Sequence, residues 1–214
     1  LKAEILSALL ASPGAAIPAQ VAPAPQIAPE QAVAGDIVVN EILANPINGG
    51  QDFIELYNRS SKVIDLKDWQ FTNFYNDTIA NMKTIPFHFI LEPMSYVAIS
   101  EDTNFLLLNY PSTIPGRLIE MDMPSYNIDS GTVYLLKDGE QIDRVSYHSD
   151  WHFSLLDNTD GVSLERLLPD ALSNQATNWH SAAESIGFAT PGRINSQFQF
   201  GETTESISLQ NDVF

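Results

Sequence analysis

The chain has 214 residues, of which 44% are hydrophobic, and its 27 acidic and 10 basic side chains give a formal net charge of −17. This length allows one domain of about 150 residues with flanks, or at most two small domains. The negative charge argues against nucleic acid as a partner because it repels a phosphate backbone. The sequence contains no cysteine, which excludes disulfides and thiolate metal sites.

The first 34 residues predict a short helix followed by a linker. Leu1, Ile5 and Leu9 share one helical stripe within residues 1–10. Residues 11–34 are rich in Ala, Pro and Gln and contain five prolines, a composition that favours extended polyproline-II structure. No run reaches the roughly 20 apolar residues of a membrane helix, so we expect no membrane insertion. A folded domain is expected to begin at residue 35.

Two strands are predicted at the start of this domain, at Ile37–Leu43 and at residues 53–57. Both runs are rich in β-branched and aromatic residues, and Asn45-Pro46 and Gly49-Gly50 between them are turn signals. A period of two predicts one face directed to a core and one directed to a wetter surface. In the first strand these two sets are Val38, Asn40 and Ile42, and Val39, Glu41 and Leu43.

The middle of the chain alternates between further strand patterns and polar stretches. Trp69 and Phe71 alternate with polar residues and predict a strand. Residues 73–83 are polar and aromatic together and predict a long exposed loop, the usual location of binding functions on a rigid scaffold. Residues 84–91 and 95–99 predict two more strands.

One short helix and a hairpin are predicted next. Ser100 is the expected N-cap of a helix over residues 102–109, which Pro111 stops. Residues 118–121 predict a short strand, and residues 131–136 and 141–147 predict a hairpin around Asp138-Gly139. Beyond Trp151 the chain is expected to be irregular except for residues 163–167.

Several motifs, in order, resemble the bacterial form of the lamin tail domain. They are VVNEILANP, DFIELYNRSSKVIDLKDWQF, GVSLERLLPD, the pair Asn178-Trp179, and ATPGRINS. The resemblance implies an all-β, immunoglobulin-like β-sandwich over residues 35–196, with Trp69 in its core. Residues 197–214 resemble the lead-in to a following module, which implies a multidomain chain. The motif positions implied to be structural are Asn40, Glu41, Glu55, Asn58, Trp69, Glu165, Arg166, Asn178, Trp179, Pro191 and Gly192.

Glu41 and Glu55 are the residues that most suggest an enzyme, because glycoside hydrolysis requires two carboxylates. Both lie inside predicted strands that resemble the family framework, so a structural role is favoured, and a surface or pairing role is expected for Glu55. Glu165 and Arg166 are expected to hold the closing part of the chain to the sheet through a charge-assisted pair.

Two other segments carry residues with chemical potential. His148, Ser149, Asp150 and His152 lie within six positions, but a catalytic triad requires convergence in space rather than adjacency in sequence. Residues 157–161 carry acidic and amide oxygens before a glycine but lack the alternating ligands of a calcium loop, so a turn is expected there, with a bound cation as the alternative. We therefore predict no catalytic residue, no metal site and no cofactor.

Three functions remain open at this stage. The first is a non-catalytic structural or interaction module of an extracellular or cell-surface protein, with an unknown protein or polysaccharide as partner. The second is a carbohydrate- or ligand-binding module whose candidate contact residues lie in loops. The third is a hydrolase or the accessory domain of a secreted hydrolase. The candidate contact residues are Phe74, Tyr75, Tyr126, His148 and Trp151.

Overall fold

The computed structural model describes residues 28–75 and 78–199, and of Tyr75 it describes the backbone only. The predicted helix over residues 1–10, most of the predicted linker and the tail after residue 199 lie outside these residues. In chain order the described elements are β1 (Ile37–Leu43), β2 (Phe53–Asn58), β3 (Ile64–Asp65), β4 (Gln70–Tyr75), β5 (Thr78–Thr84), β6 (Ile90–Leu91), β7 (Tyr96–Ser100), α1 (Thr103–Asn109), β8 (Leu118–Glu120), β9 (Ser130–Lys137), β10 (Glu140–His148), β11 (Leu164–Arg166) and β12 (Trp179–Ser181).

The strands form two larger sheets and one small one. The larger sheets have the orders β12-β11-β1-β2-β7-β8 and β10-β9-β4-β5, and β3 pairs with β6. Apolar side chains from both larger sheets meet in one buried cluster, which defines a β-sandwich. The predicted fold class is thereby confirmed. Members of this cluster include Ile37, Val39, Ile54, Leu56, Trp69, Phe71, Val133, Leu135 and Val145.

The predicted alternation in β1 is wrong, because the register shifts between Val39 and Glu41. This bulge places Ile42 in the same core as Val39 and directs Leu43 into a second cluster. The predicted wetter face is also wrong, since every residue of β1 and β2 is buried. The second cluster explains why: Leu106 of α1 and Ala189, near the end of the chain, cover the outer face of the sheet.

Two predictions about residues 73–91 are wrong. The expected loop over residues 73–83 is mostly a hairpin of β4 and β5, and its strands are hard to recognise because the edge strand β5 is largely exposed on both faces. The expected strand over residues 84–91 reduces to Ile90–Leu91. Pro86 has no N–H to donate to a ladder, and Ile85 and Phe89 bond to Trp69, Asp68 and Leu66 instead.

The predicted hairpin around Asp138-Gly139 is confirmed. β9 and β10 pair on both sides of this turn, and both turn residues have the positive φ angles of a type I′ turn, 51° and 82°. The helix is also confirmed, but its N-cap is Asp102, whose side chain accepts a hydrogen bond from the Phe105 N–H at 2.9 Å. Ser100 ends β7 instead. The short strand β12 was not predicted.

Residues just before the expected domain boundary lie against the sandwich. The Glu30 N–H donates to the Val63 carbonyl at 2.8 Å, and the Gly35 N–H donates to the Ile142 carbonyl at 3.2 Å. Ala32 packs against the main core. Glu30 and Ala32 belong to the stretch that the sequence assigns to the linker, whereas Gly35 is the first residue of the expected domain. No helix within residues 28–75 and 78–199 is long and apolar enough to cross a membrane.

Candidate functional site

Three glutamates lie side by side on the outer face of the six-stranded sheet. Glu41 on β1 is the Cα partner of both Glu55 on β2 and Glu165 on β11. Each of the three is 0% exposed. Burial of three neighbouring acids is costly unless they are protonated or paired with donors. We call Glu55, Glu41 and Glu165 the glutamate row.

Residues 190–197, which we call the closing segment, lie over the glutamate row. The segment begins with a tight turn. Pro191 fits the second position of this turn, Gly192 has a φ of 81°, and the Arg193 N–H donates to the Thr190 carbonyl at 3.2 Å. These features are those of a type II turn, which requires a positive φ at its third residue. The turn directs the Gly192 N–H at Glu55 Oε2, 2.6 Å away.

The other two glutamates also accept hydrogen bonds from the closing segment. Glu41 Oε1 accepts from the Thr190 N–H at 2.8 Å and from the Ser163 hydroxyl at 2.5 Å. Glu165 Oε2 accepts from the Ser196 hydroxyl at 2.7 Å and from the Gln197 N–H at 2.8 Å, and its Oε1 accepts from the Ser196 N–H at 3.0 Å. The row therefore attaches the end of the domain to the sheet.

Burial changes the acidity of this row. Burial, followed by the charge of Glu165, raises the pKa of Glu41 to about 8. Burial, followed by the charge of Glu41, raises the pKa of Glu55 well above its ordinary value. A raised pKa means that the folded state favours the protonated acid at neutral pH.

Two asparagines extend the same network. Asn40, the extra residue of the bulge, donates from Nδ2 to Glu55 Oε1 at 2.8 Å and to Asn195 Oδ1 at 2.6 Å. Asn195 donates in turn to the backbone carbonyls of Asn40 and Arg166, at 3.0 and 2.8 Å. Both asparagines are buried. The bulge thus turns a polar side chain towards the closing segment.

From the sequence, Glu165 and Arg166 are expected to form a charge-assisted pair, but their side chains do not contact each other. They are neighbours on one strand and point in opposite directions. Arg166 Nε donates to the Val39 carbonyl at 2.8 Å, and Asp143 Oδ2 accepts from the Val39 N–H at 2.8 Å. Arg166 Nη2 and Asp143 Oδ2 are 3.4 Å apart. This buried pair satisfies the backbone groups of Val39 at the bulge and joins β11 to β10.

The remaining motif residues also make structural contacts. Asn58 is buried and donates to backbone carbonyls, including that of Lys62 at 2.8 Å. Asn178 accepts from the Leu168 N–H and donates to the Leu168 carbonyl, at 2.9 and 3.0 Å. Trp179 Nε1 donates to the Ser173 carbonyl at 2.8 Å. Trp69 is 1% exposed in the main core.

The candidate contact aromatics do not form one exposed platform. Tyr126 is buried, and Trp151 is half-buried and stacks on Trp179 with ring centroids 6.1 Å apart. Phe74 is 40% exposed and tilts against Tyr134 at 6.1 Å. The side chain of Tyr75 lies outside the described part of the structure. Phe74 is the one described member of this aromatic set that offers an open ring.

The histidine cluster does not form a catalytic arrangement. His148 Nδ1 contacts Asp150, its neighbour in sequence, whereas His152 Nδ1 contacts the buried Ser181 hydroxyl at 2.9 Å. Burial, followed by the nearby His180, lowers the pKa of His152 to about 4, which makes it a poor base at neutral pH. Residues 160 and 161 form a turn, closed by the Val162 N–H, which donates to the Thr159 carbonyl at 3.0 Å, and no metal-binding group of His, Cys, Asp or Glu occurs among the described residues.

Several residues of this network had no individual signal in the sequence. Thr190, Asn195 and Ser196 belong to the ATPGRINS motif, but their partners lie up to 155 positions away. Asp143 lies in β10, and the sequence predicts only that this strand pairs with β9, not that its side chain reaches β1. A pattern that identifies strands cannot show which carboxylate a distant serine will reach.

The two packed sheets define a domain of the immunoglobulin-like β-sandwich class. Its buried glutamate row and the turn above it attach the end of the domain to the sheet. A sequence model of the Lamin Tail Domain matches residues 30–149, more than half of the chain, and the chain belongs to this family. The family is one of non-catalytic, immunoglobulin-like domains. A comparison with curated proteins found no match. The closing segment and strands β11 and β12 follow the matched residues.

Proposed function

We propose that the chain is a non-catalytic structural and interaction module of a larger extracellular or cell-surface protein. The observation that carries this proposal is the glutamate row. The three carboxylates are fully buried and accept hydrogen bonds from the closing segment. A glycoside hydrolase needs two carboxylates that flank an accessible bond. Carboxylates enclosed by the chain's own backbone cannot meet a substrate.

The described cavities agree with a non-catalytic role. Two cavities of about 380 Å³ lie away from the glutamate row. Residues 30–34 and Trp69 line the first together with residues from 137–142, and residues 101 and 120–122 line the second. The three acids of the second cavity are already engaged by the chain: Glu120 accepts from the Thr103 hydroxyl, Glu101 accepts from the Met123 N–H, and Asp122 pairs with Lys83.

Assays on generic ester, phosphate and glycoside substrates test this part of the proposal. We expect no turnover from the chain. Turnover that disappears in Glu41→Gln would contradict the proposal, because it would require substrate to reach the buried row. Glu140→Gln is the matched control, since Glu140 is exposed at the β9–β10 turn.

The extracellular or cell-surface part of the proposal rests on the sequence outside the sandwich. A Pro/Ala-rich stretch precedes the domain, and residues 197–214 resemble the lead-in to another surface module. Proteinase treatment of intact source cells, followed by detection with an antibody against this domain, tests the location. Loss of the signal from intact cells is the expected result. Protection in intact cells with loss only after lysis would contradict it.

A ligand-binding function is the second candidate, and one observation favours it. Phe74 lines a cavity of about 190 Å³ together with the amides of Asn73, Asn81 and Asn127 and with Thr132. Among the residues that the structure describes, no charged side chain lines this cavity. An open aromatic ring beside neutral amides and hydroxyls suits a neutral, hydroxyl-rich ligand such as a sugar.

NMR titration of the chain with neutral mono- and oligosaccharides tests this candidate. Shifts confined to the residues around Phe74, and lost in Phe74→Ala, are expected if the site binds sugar. Phe153→Ala is the matched control, because Phe153 is 45% exposed and lies beside His180, away from this cavity. Equal responses in both variants, or none in the unmodified chain, would remove the candidate.

A further inference from the structure

The hydroxyl of Thr190 lies between two carboxylates of the glutamate row. Its Oγ1 is 3.0 Å from Glu41 Oε2 and 2.7 Å from Glu165 Oε1. A hydroxyl carries one proton and can donate to only one of these oxygens. The other contact is a hydrogen bond only if that carboxyl is protonated and donates to Oγ1. A proton on one of the two glutamates makes both contacts hydrogen bonds.

The remaining contacts favour Glu41 over Glu165 as the holder of this proton. Both oxygens of Glu165 accept backbone N–H groups of the closing segment, from Ser196 and Gln197. Donors of this kind favour the ionised form. Glu41 Oε1 accepts from Thr190 and Ser163, whereas Oε2 has its hydrogen-bond contact with Thr190 Oγ1. Glu41 Oε2 is thus the position at which a proton improves the network.

We propose that a proton on Glu41 Oε2, donated to Thr190 Oγ1, holds the closing segment on the sheet, and that loss of this proton loosens the segment. Thr190 Oγ1 then donates to Glu165, so each of the two short contacts has one proton. Without the proton, Glu41 Oε2 and Thr190 Oγ1 face each other as two acceptors. Two ionised acids would also lie next to each other in a buried site.

The charged groups around Glu41 give no compensation. Glu55 on β2 and Glu165 on β11 flank it, and burial followed by the charge of Glu41 raises the pKa of Tyr110, which follows α1. Three basic residues lie nearby. Arg193 belongs to the closing segment, and Arg117 Nη1 donates to the Gly192 carbonyl at 3.2 Å. His180 is the Cα partner of Glu165 in the β11–β12 register. No ion pair within the described residues includes a member of the glutamate row.

The sign of the pH effect follows from the pKa of Glu41, which burial raises to about 8. In the open state the acid regains water, so its pKa returns towards 4.5. The closed state therefore binds a proton that the open state lacks between these two values. Opening becomes about tenfold more favourable for each pH unit in this range, and it levels off above about pH 8.

Limited trypsin digestion at the bond after Arg193 reads out opening of the segment. Rates are normalised at each pH to the cleavage of an unstructured peptide with the same bond. Between pH 6.5 and 8.5 the normalised rate at Arg193 should rise roughly 25-fold, while the bonds after Arg144 in β10 and Arg166 in β11 stay intact. Glu41→Gln should give a slow rate at both pH values, because its amide donates to Thr190 without titrating.

Three results would overturn the proposal. They are a rate at Arg193 that does not change with pH, the same pH dependence in Glu41→Gln as in the unmodified chain, and cleavage at all sites together, which would mean global unfolding. Glu140→Gln, an exposed substitution, is the control and should behave as the unmodified chain.

Carbon-13 NMR of the glutamate carboxyl groups gives a second measurement that needs no variant to fold. The Glu41 carboxyl signal should have the shift of a protonated acid at pH 6.5 and should move to that of a carboxylate by pH 9. A Glu41 signal already typical of a carboxylate at pH 6.5 would refute the proposal.

Discussion

At the residue scale, the structure explains why glycine is favoured at position 192. Gly192 has a φ of 81°, and a Cβ there would lie 2.9 Å from the Cβ of Arg117. Its N–H must also point at Glu55. Pro191 supplies the fixed φ that the preceding turn position uses. Backbone geometry, steric space and a hydrogen bond therefore all converge on one glycine.

Gly192→Ala should lower the free energy of unfolding by about 1–3 kcal/mol, from the left-handed φ and the contact with Arg117. Gly116→Ala is the matched control, because nothing lies within 4 Å of a Cβ at that position and its φ is not positive. Urea denaturation of both variants measures the difference. Similar values for the two would show that the turn is not held as described.

Trp69 and His148 are a core residue and a surface residue among the motif and loop candidates. Trp69 is 1% exposed, whereas the side chain of His148 is 49% exposed. Trp69→Ala should cost about 3–5 kcal/mol, the range for large aromatic deletions in a core. His148→Ala should fall within about 0.5 kcal/mol of the unmodified chain. Equal costs by urea denaturation would mean that the core is assigned wrongly.

At the element scale, sequence patterns succeeded where strand and turn signals were local. The β9–β10 hairpin has alternating side chains and an Asp138-Gly139 turn, so both its strands and its turn could be predicted. The β4–β5 hairpin lacked such signals, because its edge strand buries little. The bulge at Val39 was invisible, since its side-chain support comes from Asp143 and Arg166 on other strands.

The candidate site was predictable only in part for the same reason. The sequence indicated that Glu41, Glu55 and Glu165 belong to the framework, because they lie in strands within the family motifs. It did not indicate that all three are buried, because the covering segment is contributed by residues 190–197. Contacts that join positions more than 100 residues apart depend on the whole topology.

At the scale of the whole molecule, the start of the folded unit can be placed by its contacts. The Glu30 N–H bonds to Val63, and the Val33 N–H bonds to Asp36 Oδ2 at 2.8 Å. Lys62 Nζ also donates to the Gln31 carbonyl at 3.3 Å. These bonds and the packing of Ala32 add stability before Gly35, so we expect the folded unit to begin near residue 30 rather than at 35.

A chain that begins at residue 28 should therefore melt within about 2 °C of the full chain. A chain that begins at Gly35 should melt several degrees lower, because it loses hydrogen bonds worth about 0.5–1.5 kcal/mol each and some apolar burial. Differential scanning calorimetry compares the two. Identical melting temperatures would return the boundary to residue 35.

The central claim is that the glutamate row serves to attach the closing segment. Its most direct measurement is the free energy of unfolding, by urea at pH 7, of a chain that ends at Ala189 compared with one that ends at Gln199. The shorter chain loses the Thr190, Gly192, Ser196 and Gln197 donors. Each lost hydrogen bond is worth about 0.5–1.5 kcal/mol net, and lost burial of the outer face adds to this, so we expect a loss of at least about 3 kcal/mol, up to complete unfolding. A difference below about 0.5 kcal/mol would contradict the account.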